Sequence, residues 1–355
     1  MAQVAAVQAQ AFAHVNSVSL SQGPRQFSML FLVRLTALAS LSFARAGPQA
    51  TKVIRFEDEE GRIHYGQPLD GTSDLAVPLV NDPFESLELF DAQSHPEKVL
   101  KVKKLLAPIP MPPTIYGIGF NYWGHINSTH ASPPKTPSLF YKNRFAYNHP
   151  FDPIVVPATS TLPDYEGELA IIIGRNCKDV SEDDALTCVL GYTVCNDVSA
   201  RCLQIEDPQD PKRPAYHQGC LGNGGQFSYS KGLDTHAPFG PAMVPTAVLG
   251  DGSGLRLTTW VNKEKTPRQN ASTSDLIFGV KKIVSFISTG TTLEKGSVFC
   301  SGTPDGIGDT MKPPQYLQDE DIVKINIDKI GWLINPVRRP GAEHIKQPVN
   351  LDLIV

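Results

Sequence analysis

A chain of 355 residues, 41% hydrophobic and 19% charged, is long enough for one large domain plus a smaller one and has an ordinary globular composition. Its net charge of −4 removes any electrostatic case for nucleic-acid binding. Thirty prolines and 28 glycines, spread along the chain, favour a turn-rich, mainly β protein over a helical bundle.

Residues 1–50 stand apart. No Asp or Glu precedes Glu57, whereas Arg25, Arg34, Arg45, Lys52 and Arg55 are basic. The apolar stretch 29–47, MLFLVRLTALASLSFARAG, is interrupted by arginine and too broken for stable membrane insertion. Acid-poor, Arg- and Ser-bearing character fits a mitochondrial presequence, and a disordered extension or a misplaced start codon fits equally well. The expected location is cytoplasmic, or mitochondrial if this segment acts as a presequence.

From Thr51 the chain reads as folded. KVIRFEDEEGRIHYG (52–66) alternates around Glu60-Gly61 and predicts a hairpin. Residues 84–106 predict short helical or strand pieces. The proline-rich APIPMPPT (107–114) marks a connector, so a small N-terminal domain is set at 51–110 and the main domain at 111–338. Residues 339–355 form a tail. Within the main domain, IYGIG, DPIVVP, GELAIIIG, VLGYTVCNDV, LRLTTWVN, SVFCSGTP and DIVKINIDKIGWLINPV are short, β-branched runs with turn signals between them. They predict strands. Helices are predicted at 181–190, with Ser181 as N-cap, and at 273–289. The fold class is therefore mainly β with a few helices (α+β). The six cysteines (177, 188, 195, 202, 220 and 300) include no C-x-x-C pair and several lie in apolar runs. They are expected to be reduced, mostly buried thiols, with no zinc-site spacing.

One stretch conflicts with ordinary patterning. DYEGELAIII (164–173) sets Glu166 and Glu168 directly against one of the most apolar runs of the chain. On a strand, residues two apart share a face, so Asp164, Glu166 and Glu168 would align about 7 Å apart. At an effective dielectric near 20, each neighbouring pair repels by about 2 kcal/mol. Asp197 likewise ends the apolar run GYTVCNDV. Two readings fit. Glu166, Glu168 and Asp197 hold one hard divalent cation through carboxylate oxygens, or the acids form a solvated face opposite apolar residues.

The segment 162–204 resembles the signature region of the fumarylacetoacetate hydrolase family. The likeness continues through YGIGFNYWGH (116–125), SLFYKNRFAYNHPFDPIVVP (138–157), YSKGLDTHAPFGPAMV (229–244) and residues 298–337. It spans roughly 52–338. What it implies is a mixed β-roll catalytic domain with a smaller N-terminal region, often assembled as a homodimer. It implies Mg²⁺ or Mn²⁺ held by Glu166, Glu168 and Asp197, with a small-molecule keto acid as substrate. Lys231 takes the family's lysine position, suited to an oxyanion. Lys142, Gln204 and Thr303 match positions facing metal or substrate. His125 matches a histidine proposed as general base.

The pattern then departs. Many relatives place a glutamate three residues after that histidine, and here the position is Ser128, followed by Thr129 and His130. Serine cannot hold an imidazolium as a carboxylate does. Glu343 in the tail is one remote substitute. Cys202 stands where the family pattern has aspartate. GTPDGIG (302–308) lacks the Lys-Ser/Thr ending of a phosphate loop and reads as a Gly-rich turn beside the ligand. The expected reaction is metal-dependent hydrolysis of a carbon–carbon bond in a 1,3-dicarbonyl or acylpyruvate. The alternatives are keto–enol tautomerisation or decarboxylation of oxaloacetate-like acids, which Ser128 favours, and a non-catalytic, metal-bound dimeric binding protein.

Overall fold

The computed structural model describes residues 51–69, 74–85, 98–129, 131–158, 160, 162–204 and 225–340. The N-terminal extension 1–50, residues 86–97 of the 84–106 stretch, His130, Cys220 and Glu343 lie outside them.

The most apolar runs of the sequence become the centre of a seven-stranded mixed sheet. Its order is Ser138–Lys142, Ile115–Gly119, Val298–Cys300, Gly167–Ile173, Val189–Asn196, Ala237–Pro245 and Tyr147–Asn148. A five-stranded sheet packs on one face, in the order Gln269–Ser272, Arg256–Val261, Ile322–Ile327, Gly331–Arg338 and Ile154–Val155. Leu169, Ile171, Ile173, Tyr192 and Val194 of the first sheet meet Leu257, Val323, Ile325 and Leu333 of the second, and Ile283 and Ile287 of the helix Val280–Ser288 join them. The opposite face buries Ala170, Ile172, Leu190, Cys195 and Phe239 with Val53 and Ile109. A strand covered on both sides has no polar face to show, which is why GELAIIIG does not alternate.

The hairpin around Gly61 forms as its alternation predicts. Ile54–Glu57 pairs antiparallel with Ile63–Pro68, and Gly61 supplies the positive φ of the turn at 81°. These strands belong to a second five-stranded sheet that also takes in Leu75–Pro78, Leu100–Lys101 and Lys104–Leu106.

Two predicted helices shrink. In 181–190 only a 3₁₀ turn, Ala185–Cys188, forms before the strand Val189–Asn196 begins. Ser181 Oγ still accepts the Asp184 amide, at 3.1 Å, but the β-branched residues beyond it join the sheet. In 273–289 a capped 3₁₀ turn, Thr273–Asp275, precedes the shorter helix Val280–Ser288. The cysteine expectation also needs correction. Cys177 and Cys188 are joined by a disulfide, their Cα atoms 6.2 Å apart, and Cys202 is disulfide-bonded too. Only Cys195 and Cys300, among the described residues, are free buried thiols. Sheet pairing and the 3₁₀ turn bring the first pair within bridging distance, which sequence spacing alone does not report.

Candidate active site

The acid cluster follows from strand register. Gly167–Ile173 runs antiparallel to Val189–Asn196, with Gly167 opposite Asn196 and Glu168 opposite Cys195. The start of one strand thus lies beside the end of the other, and Glu166 and Asp197 meet at that corner. The Asp197 amide donates to Glu166 O at 2.9 Å, and the Glu166 amide donates to Asn196 Oδ1 at 3.0 Å. Gly167, between the two glutamates, lets this corner press on the second sheet. A Cβ there would lie 2.4 Å from Thr259 Oγ1.

One ligand oxygen from each of Glu166, Glu168 and Asp197 lies within 4.8 Å of the others, and all three side chains are buried. The solvated-face reading is therefore wrong. Asp164 does not join them. Fully buried, it accepts the amides of Gly308 (2.8 Å) and Asp309 (3.0 Å) and the Arg201 Nε–H (2.9 Å).

Buried cations surround the cluster. Lys231 Nζ donates to Glu166 Oε2 at 2.6 Å, Asp197 Oδ2 at 2.7 Å and Ser199 Oγ at 2.8 Å. Arg201 Nη2 reaches Glu166 Oε1 at 2.6 Å, and Lys142 Nζ bonds Asp197 Oδ1 from behind. Burial alone would raise the Glu166 carboxyl, but Lys231 and Arg201 outweigh it and hold it well below the usual range. Burial likewise opposes charge on Lys231, and Asp197 and Glu166 keep it protonated. Glu168 is different. Among the described residues its Oε2 accepts only the Gly302 amide, at 2.7 Å, and no lysine or arginine bonds it. Burial, then the neighbouring Asp197, push its carboxyl well above the ordinary value. A set of hard oxygen donors with one unbalanced carboxylate fits a divalent cation, and Glu166, Glu168 and Asp197 would hold it.

The cluster opens into a cavity of about 590 Å³ that is also lined by His125 and the aromatic rings of Phe120, Phe140 and Phe227, with Lys231 Nζ 5.1 Å from the centre of the Phe140 ring. His125 sits on the helix Trp123–Thr129, a short element that the sequence pattern did not predict. Asn121 anchors it, with its amide nitrogen on Ser301 O (2.7 Å) and its oxygen on the Phe278 amide (2.8 Å). The Phe120 ring stacks on the imidazole at 5.7 Å. Burial, only partly offset by Glu166, lowers the His125 pKa to about 4, so the ring is neutral at pH 7. Ser128 Oγ bonds the His125 carbonyl at 3.0 Å rather than the ring.

The remaining expected residues differ in placement. Gln204 lines the cavity, donating to Ser230 Oγ (2.8 Å) and accepting from Arg201 Nη1 (3.1 Å). Thr303 also lines it, its hydroxyl tied to Gln269 Nε2 (2.7 Å) and Gly167 O (3.1 Å). Lys142 is sealed behind Asp197. Arg201 was not singled out in the sequence, although an arginine just past an apolar run that ends in aspartate is a usable signal. In the GTPDGIG turn, a Cβ on Gly308 would lie 2.7 Å from Asp164 Oδ1, so this glycine admits a carboxylate of the chain itself.

Comparisons with known proteins agree with this architecture. The family described as "Fumarylacetoacetate (FAA) hydrolase C-terminal" matches residues 114–338. The mitochondrial oxaloacetate tautomerase of Xenopus laevis is 38% identical over 233 residues, 66% of this chain and 68% of that protein. The caffeoylpyruvate hydrolase of Neonothopanus nambi is 35% identical, covering 81% of this chain and 93% of the other. A crystal structure of 5-carboxymethyl-2-hydroxymuconate delta-isomerase from Mycobacterium smegmatis superposes with a TM-score of 0.65 at 32% identity, over 81% of this chain and 99% of that one.

Proposed function

Because the chain belongs to the fumarylacetoacetate hydrolase family and is a keto-acid-processing enzyme of it, we propose that it hydrolyses a carbon–carbon bond in an acylpyruvate, R–CO–CH₂–CO–COO⁻. The observation that carries this reading is the cavity, which is lined together by a neutral histidine, an acid and ammonium cluster and three aromatic rings. About 590 Å³ is more than a four-carbon diacid needs, and Phe120, Phe140 and Phe227 suit an apolar R group. Among relatives, one is named a caffeoylpyruvate hydrolase.

Mg²⁺ or Mn²⁺, held by Glu166, Glu168 and Asp197, would supply a Lewis acid for the adjacent substrate oxygens. The chain's own residues divide the rest. His125 takes a proton from water through Nε2, since Nδ1 is buried without a partner among the described residues. Water oxygen adds to the acyl carbonyl, the bond from that carbon to CH₂ breaks, and the electron pair stays on the pyruvate fragment. Lys231 and Arg201 face the negative charge that develops there. Protonation of the CH₂ carbon yields R–COO⁻ and pyruvate. Gln204 and Thr303 border the substrate, and Lys142 fixes Asp197. In this proposal 111–338 carries the chemistry and 51–110 is an accessory domain. A homodimer is supported by exposed Tyr141, Phe145 and Tyr229 beside the edge strand Ser138–Lys142.

A second reading, keto–enol tautomerisation of an oxaloacetate-like acid, draws on Ser128, which leaves the imidazole without support. It also draws on the 38%-identical tautomerase. Purified protein with Mg²⁺ and an aryl acylpyruvate should lose the diketone absorbance and release one pyruvate per substrate. Decay of enol-oxaloacetate without any acylpyruvate cleavage would select the second reading instead.

A further inference from the structure

A histidine that accepts a proton through one ring nitrogen works best when the other is held by an acceptor, which fixes the tautomer and stabilises the imidazolium. His125 has no such partner among the described residues. Its Nδ1 is buried and unbonded, and both nearby hydroxyls, of Ser128 and Thr129, turn to its backbone carbonyl (3.0 and 2.8 Å). Charged groups face the ring from four other segments. Glu166 belongs to the acid cluster, Arg201 and Lys231 are the cations around it, and Asp305 lies in the turn after Val298–Cys300. Glu166 is already engaged by Lys231 and Arg201. Asp305 is not engaged. It is exposed and accepts no hydrogen bond from any described residue.

Its position is unusual. Asp305 Oδ1 lies 2.3 Å from where a Cβ on Gly124 would stand, so the carboxylate occupies the space that a side chain next to His125 would fill. Glycine at 124 is what lets the turn and the helix approach so closely. We propose that Asp305 is the positioning residue for His125, a carboxylate brought in from the distant 302–308 turn that orients the imidazole once a side-chain rotation closes the hydrogen bond left open in this structure. This inference rests on the reaction proposed above. The chain thereby obtains an acid–histidine pair although position 128, one helical turn beyond His125 and on its side of the helix, carries a serine.

Two readouts separate this role from a merely structural one. With wild-type turnover established, Asp305→Asn should lower kcat on the acylpyruvate by 10- to 100-fold with KM within about twofold. Adding Ser128→Glu to that variant should recover at least a tenfold increase, while Ser128→Glu alone changes kcat little. Independently of any turnover, ¹⁵N spectra of labelled histidine, with the His125 signal assigned by its loss in His125→Gln, should show Nδ1 protonated in wild type. The tautomer population should shift in Asp305→Asn. A kcat for Asp305→Asn within twofold of wild type would overturn the proposal. So would a low kcat that Ser128→Glu fails to raise, or an unchanged tautomer. An inactive wild type with the expected tautomer shift would instead defeat the assigned reaction and leave the pairing standing.

Discussion

The acid wall of the cavity, around Glu166, Glu168 and Asp197, is pinned by Lys231, Arg201 and Lys142 and by the Gly302 amide. The histidine wall is one short helix whose ring makes no hydrogen bond to a described residue through its buried nitrogen. Both line one cavity, but only the first has its functional side chains tied by several buried ion pairs. In the proposed mechanism, substrate capture and enolate stabilisation are thus tied to the sheet. In the same proposal, proton transfer depends on the short helix Trp123–Thr129. Relatives named hydrolase, tautomerase and isomerase are what such a division of labour would allow.

Perturbing each wall in turn can break this contrast. The largest effect is expected from Glu168→Gln, which removes the carboxylate lacking a cationic partner. Turnover should fall roughly a thousandfold, the several kcal/mol that a Lewis acid contributes. Thermal stabilisation by Mg²⁺, measured by scanning calorimetry, should vanish with it. Lys231→Met should come next. Leaving Glu166 and Asp197 underbalanced should cost about 3–5 kcal/mol of metal-free stability in denaturant titrations. Added Mg²⁺ should therefore stabilise this variant more than wild type. On the other wall, His125→Gln should lower acylpyruvate hydrolysis by about 100-fold while Mg²⁺ stabilisation stays intact. Equal damage to ion binding would show that the walls are not separable. The smallest effect on turnover belongs to the frame. Replacing both Cys177 and Cys188 by Ser should cost roughly 2–3 kcal/mol of stability, as expected for a short closed loop, and leave kcat within about twofold.

The same contrast governs what could be read in the sequence. The central strands were legible because each is a short β-branched run between turn residues. Glu166, Glu168 and Asp197 drew notice because carboxylates against an apolar run are out of place on a strand buried on both faces. Trp123–Thr129 was hidden by its brevity, since seven residues give too few turns for a helical period to register. The 181–190 segment began like a helix at Ser181, yet tertiary pairing drew Val189 onward into the sheet. Arg201, the Cys177–Cys188 bridge and the approach of Asp305 to Gly124 depend on contacts between separate segments. No local spacing encodes these.

The central claim is that Glu166, Glu168 and Asp197 share one divalent ion, and the most direct test is an anomalous difference map from crystals grown with Mn²⁺. A single strong peak per chain is expected, within roughly 2.0–2.4 Å of an oxygen from each of the three carboxylates. Lys231 would then be drawn off at least one of them. A map with no peak there, the ammonium still bridging Glu166 and Asp197 as it does without metal, would contradict it.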